Sequence, residues 1–194
     1  IYDEHVYIFS CLSVSNIFKK INFEIIDVIP QKTHGGSMRY VLAKKNKFKV
    51  NTIVKKYINK EKRYGLNSQK TFFNFKTNFE KSKNNLVNLL KREKHKGNKI
   101  AGYGATSKST TILNYCKIDK SLISFISDTT PIKQNKFSPG MHIPVKSYDY
   151  FKNNIPDITV LFAWNHSKEI MSKEKKYISK GGKWIVHVPK VKKF

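Results

Sequence analysis

Residues 99–144 constrain what this chain can fold into more than any other stretch. They include KIAGYGATSKSTTILNYC, then LISFISDTT, then PIKQNKFSPGMHIP. A short apolar run (Ile100, Ala101) enters a turn that holds Gly102 and Gly104. A helix with Ile112, Leu113 and Cys116 on one side follows, and a second apolar strand at 122–126 leads to Asp128. Strand, tight glycine turn, helix, strand, acid is the opening of a nucleotide-binding βαβ unit. Such a turn aims backbone N–H groups at phosphate, and the acid falls where a ribose hydroxyl would sit. Amides around Tyr103 and Ala105 are therefore expected to cup a diphosphate, with Ser107, Lys108 and Ser109 at the helix start, where an anion is favoured. GYGATS keeps two glycines of G-x-G-x-x-G and has Ser107 for the third, which argues against an ordinary NAD site. A plain strand–helix turn without ligand is the alternative.

The rest of the C-terminal half extends this pattern. Strands are expected at 99–102, 122–127, 159–163 and 184–188, with helices near 109–116, 148–153 and 168–179. Alternation of this kind predicts a mostly parallel sheet covered by helices. Gly181 and Gly182 stop the last helix. Phe162-Ala163-Trp164-Asn165-His166 stands at the carboxyl end of an expected strand, where ligands of open α/β sheets bind. Asn165 is accordingly a candidate substrate contact or a helix cap.

Residues 1–50 carry an aromatic run (Tyr2, Tyr7, Phe9), a short helix at 14–21 starting from Ser13 or Ser15, and strands at 23–29 and 38–43. The turn between the strands is Thr33-His34-Gly35-Gly36-Ser37. It reads as a hairpin or as a place of close backbone approach. Residues 51–97 are polar with helical period, broken at Gly65. One stripe (Phe72, Phe75, Phe79, Leu86, Leu89, Leu90) is expected to pack on a neighbouring domain.

The formal charge of +25 raises the question of nucleic acid, but the arginines are only Arg39, Arg63 and Arg92. Base reading and bidentate phosphate contact favour arginine. The lysines are spread along the chain amid many Asn and Ile, as AT-rich codons produce. No nucleic-acid partner is expected, although the charge should attract anionic substrates. Cys11 and Cys116 form neither a CxxC pair nor a disulfide framework, and the histidines lack ligand spacing, so no metal site is expected. There is no signal peptide and no apolar run near the ~20 residues a membrane span needs. A cytoplasmic location is the expectation. The chain begins at Ile1 and reads as a piece of a longer protein.

Tyr2, Glu4 and His5 form a further cluster. A histidine can take a proton near neutral pH and a carboxylate can orient it, but on residue types alone an ordinary surface histidine is favoured. YDEH, THGGSMR, GYGATSKSTTILNYC, SDTTPIKQNKFSPGMHIPV and FAWN, in that order, resemble the C-terminal half of the sugar C-methyltransferases. These enzymes methylate nucleotide-linked keto-deoxysugars with S-adenosylmethionine. The resemblance covers nearly the whole chain, and residues 102–145 are its most specific part. It implies an α/β fold in three pieces: 1–50 as the closing strands of a class I methyltransferase domain, 51–97 as a helical linker, and 98–194 as a Rossmann-like nucleotide-sugar domain. It also implies a region before this chain, in cis or as a separate chain, that carries the S-adenosylmethionine loop and zinc cysteines, both absent here. The family's Y-x-E-H motif maps onto Tyr2, Glu4 and His5. His5 would be the general base, Glu4 its orienting partner or a sugar contact, and Tyr2 a contact to sugar or oxyanion. Gly102, Tyr103, Gly104, Ala105, Lys108, Asp128 and Asn165 would meet the nucleotide-sugar. Asp3 and the Thr106-Ser107 pair depart from the usual family residues. A non-catalytic nucleotide-sugar-binding module or split-enzyme subunit is the alternative.

Overall fold

The computed structural model of the chain describes residues 7–33 and 36–194. They form two compact units, divided between Asn78 and Phe79 inside one long helix.

The first unit is built from α1 (Cys11–Lys19), β1 (Phe23–Gln31), β2 (Ser37–Lys44) and α2 (Thr52–Arg63). β1 and β2 pair antiparallel from Phe23↔Lys44 to Gln31↔Ser37, with a bulge between Ile25 and Asp27, so the expected hairpin is present. Cys11, Val14, Ile25, Val28 and Val54 close a small core. The helix expected at 14–21 starts earlier, at Cys11. Ser10 and Ser13 form a reciprocal capping box, and both Glu61 carboxylate oxygens accept the Cys11 and Leu12 amides at 2.8 and 2.6 Å. Glu61 lies fifty residues away on α2, a partner that local sequence reading does not reveal.

Helix α3 (Gln69–His95) carries the expected apolar stripe, but the stripe has two fates. Phe72 and Phe75 are more than half exposed, whereas Leu86 and Leu90 are buried in the core of the second unit. The helical stretch 51–97 is thus shared between the two units.

The second unit holds β3 (Ile100–Tyr103), α4 (Ser107–Cys116), β4 (Ile126–Ser127), β5 (Val145–Lys146), α5 (Tyr148–Asn153), β6 (Ile158–Leu161), α6 (Ser167–Lys173), α7 (Lys175–Ser179), β7 (Lys183–Val186) and β8 (Lys192–Lys193). The sheet order is β5-β4-β3-β6-β7-β8. Every pairing is parallel except β7 with β8. The fold is therefore α/β with a mostly parallel six-stranded sheet, as the alternating pattern predicts. Successive strand residues face opposite layers. Ile100, Val160 and Ile185 pack against Leu86, Leu90 and Leu113 of α3 and α4. Ala101, Leu161 and Trp184 pack against Phe151 and Tyr177 of α5 and α7. Burial on both faces explains the continuous apolar runs in these strands. The helix expected at 168–179 breaks at Glu174, which separates α6 from α7.

Candidate functional site

The chain runs outward from β3 to β4 and β5 on one side, then returns to β6 and β7 on the other. The order reverses between β3 and β6. A crevice opens at such a switch point because the connections leaving the two strands diverge to opposite sides. Here it is a cleft of about 300 Å³ at the carboxyl ends of β3, β4 and β6.

Of the residues expected to touch a nucleotide, Tyr103, Gly104 and Asp128 line this cleft. Gly104 adopts φ +91°, and a Cβ there would lie 3.3 Å from that of Ala163, so both conformation and close approach favour glycine. Gly102, Ala105, Lys108 and Asn165 do not line it. Gly102 is buried where a Cβ would come within 2.7 Å of the Phe162 ring and 3.1 Å of Ile126. It serves strand packing. Lys108 is exposed in the first turn of α4, and Asn165 is exposed in the 3-10 turn Trp164–His166.

The turn amides are already engaged within the protein. Gly104 N–H donates to the Ser127 carbonyl at 2.8 Å, and Thr106 N–H to the Gly104 carbonyl at 3.0 Å. Ala105 N–H donates to Asp128 Oδ2 at 2.7 Å. Thr106 caps α4 by accepting the Ser109 amide at 3.1 Å. The Gly104, Ala105 and Thr106 amides of the expected cup are thus taken by acceptors within the chain. Asp128, only 7% exposed, also accepts the Thr130 amide through Oδ1 at 2.8 Å, and Lys133 Nζ stands 3.5 Å from Oδ2. Its first task is to tie the loop after β4 to the glycine turn. Oδ2 thus takes both the Ala105 amide and the Lys133 ammonium, while Oδ1 keeps a further lone pair for a hydroxyl.

Sequence reasoning missed Thr106, Thr130, Lys133, Glu169 and Lys173, which also line the cleft. Lys133 follows Asp128 closely in the SDTTPIK block, a signal that was present. Lys173 had none, being one lysine among many.

Beside the cleft lies a buried polar cluster. Glu174, 4% exposed, accepts the Tyr103 hydroxyl at 2.9 Å and the Tyr148 hydroxyl at 3.0 Å. Burial, and then the Glu174 carboxylate, push both phenols above the usual tyrosine range, so both remain donors. This carboxylate ties the α6–α7 corner to the end of β3 and the start of α5.

Tyr2, Glu4 and His5 lie outside the described residues, as do His34 and Gly35 of the hairpin turn. Among the described residues no group of three or more His, Cys, Asp or Glu could hold a metal ion, and no helix is long and apolar enough to cross a membrane.

With this geometry in hand, comparison with known proteins decides the family. Residues 32–189 match the model of the C-methyltransferase C-terminal domain. The chain belongs to that family. It is 31% identical over 190 residues to the C-methyltransferase NovU of Streptomyces niveus, a match that covers 97% of this chain and 45% of that protein. The chain therefore spans less than half the length of this curated relative. The family match takes in the whole cleft described above and all of the six-stranded sheet except β8, which lies beyond residue 189.

Proposed function

We propose that this chain is the C-terminal portion of an S-adenosylmethionine-dependent C-methyltransferase acting on a nucleotide-linked keto-deoxysugar. The observation that carries the reading is the cleft at the β3–β6 switch point in a chain of the C-methyltransferase C-terminal family. Residues 98–194 hold the nucleotide end of the substrate. Tyr103 and Gly104 lie at the turn, and Asp128 offers the remaining lone pair of Oδ1 to a ribose hydroxyl. Residues 1–50 complete a methyltransferase domain whose larger part lies in the region preceding them, in cis or on a separate chain.

The chemistry assigned to this chain is proton removal. A C–H beside a ketone is acidic because its loss gives an enolate, and a base near neutral pKa removes that proton efficiently. His5 accepts it, Glu4 orients the imidazole or contacts the sugar, and Tyr2 contacts the sugar or the developing oxyanion. S-adenosylmethionine, when bound, supplies the electrophilic methyl group. This sequence has no glycine-rich loop for it and no zinc cysteines, so both groups are assigned to the preceding region. Holding the sugar rigidly from its nucleotide lowers the entropic part of the barrier.

The test is transfer of labelled methyl to a dTDP-linked 4-keto-deoxysugar by this chain joined to the methyltransferase region. Wild type should turn over. His5→Ala should lower turnover by roughly 10²–10⁴-fold while nucleotide-sugar binding stays nearly intact. Unchanged turnover in that variant removes His5 from the mechanism. Binding without transfer by the joined wild-type protein favours a non-catalytic module.

A further inference from the structure

Three amides of the glycine turn are taken by the chain's own acceptors, and the cleft beside it has cationic groups on both flanks. In the sheet order β4-β3-β6, the loop after β4 brings Lys133 to one side of the β3 end and α6 brings Lys173 to the other. Asp128 Oδ2 lies 3.5 Å from Lys133 Nζ, which sets the position of that ammonium, and its side chain is 41% exposed. Lys173 is exposed and lies over the Tyr148 ring at 5.8 Å, the ring whose hydroxyl is held by Glu174. Thr106 and Thr130 line the same cleft. Glu169 is also in the lining, but it is 82% exposed and stands 3.7 Å from His166, which leaves the two ammonium groups as the partners of an incoming anion. Small-ligand pockets run from about 300 to 1,000 Å³. A cleft of about 300 Å³ suits a ribose diphosphate, with base and sugar projecting.

Resting on the nucleotide reading of this cleft, we infer that Lys133 and Lys173 form a two-lysine clasp for the diphosphate of the substrate. Asp128 serves as the lock that closes the glycine turn and sets Lys133. The clasp replaces the backbone cradle expected from the GYGATS pattern. A diphosphate offers one phosphate to each ammonium group, so the clasp favours nucleoside diphosphates over monophosphates.

Calorimetric titration of the chain with dTDP, UDP and dTMP tests this. The variants are Lys133→Gln, Lys173→Gln and a control, Lys152→Gln. Lys152 lies over the same Tyr148 ring at 4.9 Å and pairs with Asp149, so its loss makes the same change in net charge outside the cleft. A diphosphate should bind at least tenfold tighter than dTMP. Each clasp variant should weaken the diphosphate by about tenfold, as expected for a hydrogen bond to a charged group, and bring it close to the monophosphate. Lys152→Gln should match wild type. All are surface changes whose folding is checked by thermal unfolding. Tight diphosphate binding that neither clasp variant weakens, or equal affinity for mono- and diphosphate, overturns the clasp and leaves the nucleotide reading standing. No binding of dTDP or UDP by wild type at millimolar concentration overturns the nucleotide reading itself.

Discussion

Removing the Glu174 carboxylate should loosen the second unit by an amount its contacts allow to be worked out. Two phenol hydroxyls, Tyr103 and Tyr148, donate to it at 2.9 and 3.0 Å, and the residue is 4% exposed. In Glu174→Ala both hydroxyls lose their acceptor, at about 1–3 kcal/mol each, and the missing side chain leaves a gap. Against this stands the cost of burying the charge, which no lysine, arginine or histidine among the described residues offsets by an ion pair. A net loss of about 3–4 kcal/mol follows. Glu174→Gln keeps the shape and one acceptor and discards the buried charge, so it should cost only about 1 kcal/mol. The cleaner statement is the coupling. Tyr103→Phe should cost about 2 kcal/mol in wild type and almost nothing in Glu174→Ala, where it removes an orphaned hydroxyl. Urea denaturation followed by tryptophan fluorescence is the assay. Trp164 and Trp184 both lie in the second unit and are the chain's only tryptophans, so the signal reports that unit alone. If Tyr103→Phe costs the same in both backgrounds, Glu174 is not the acceptor that holds Tyr103 and the reasoning fails.

Other perturbations have equally definite outcomes. Gly102→Ala forces a methyl within 2.7 Å of the Phe162 ring and should cost about 1–3 kcal/mol by overpacking; urea midpoints equal to wild type would show that the strand gives way freely. His187 is 5% exposed with Nδ1 unpaired, and burial pushes its imidazole down to about 4. Its folded form resists the proton that the unfolded chain takes up, so stability present above pH 6.5 should fall as pH drops from 6.5 towards 4. The loss should reach about 3 kcal/mol at most, and His187→Phe, measured by urea denaturation at pH 7.5 and 5, should flatten that slope. Burial pushes both thiols, Cys11 and Cys116, up to about 11, so neither should react with a thiol reagent at pH 8 until the chain unfolds. Rapid labelling of the native protein would contradict their placement.

Much of the sheet was legible in the sequence because its strands are apolar runs closed by glycine or acid. β3, β6 and β7 lie within a residue or two of where composition places them. Two-residue strands were not legible: β5 and β8 are too short to show a period, and β8 joins only by turning back antiparallel on β7. The expected strand at 122–127 enters the ladder only at Ile126 and Ser127, although the Phe125 carbonyl still accepts the Gly102 amide at 2.8 Å. The break at Glu174 escaped notice, and the partners that Glu174 holds at that corner are two tyrosines distant in sequence, one of them 71 residues away. At the candidate site, Gly104 and Asp128 were legible from spacing, since a glycine turn and a strand-end acid recur together in this geometry. What Asp128 does there was not. Only the three-dimensional arrangement puts its carboxylate on the Ala105 amide, and Lys133 and Lys173, which composition hides among so many other lysines, in the lining of the same cleft.

The account rests on a nucleotide diphosphate entering the cleft at the β3–β6 switch point. Amide chemical shifts of the isotope-labelled chain, followed during titration with dTDP, test this most directly. Saturable shifts at Gly104, Thr106, Thr130 and Ala163, with β1 and β2 silent, are the expected result. Saturable shifts that leave those four amides unmoved, or no shifts at all, would contradict it.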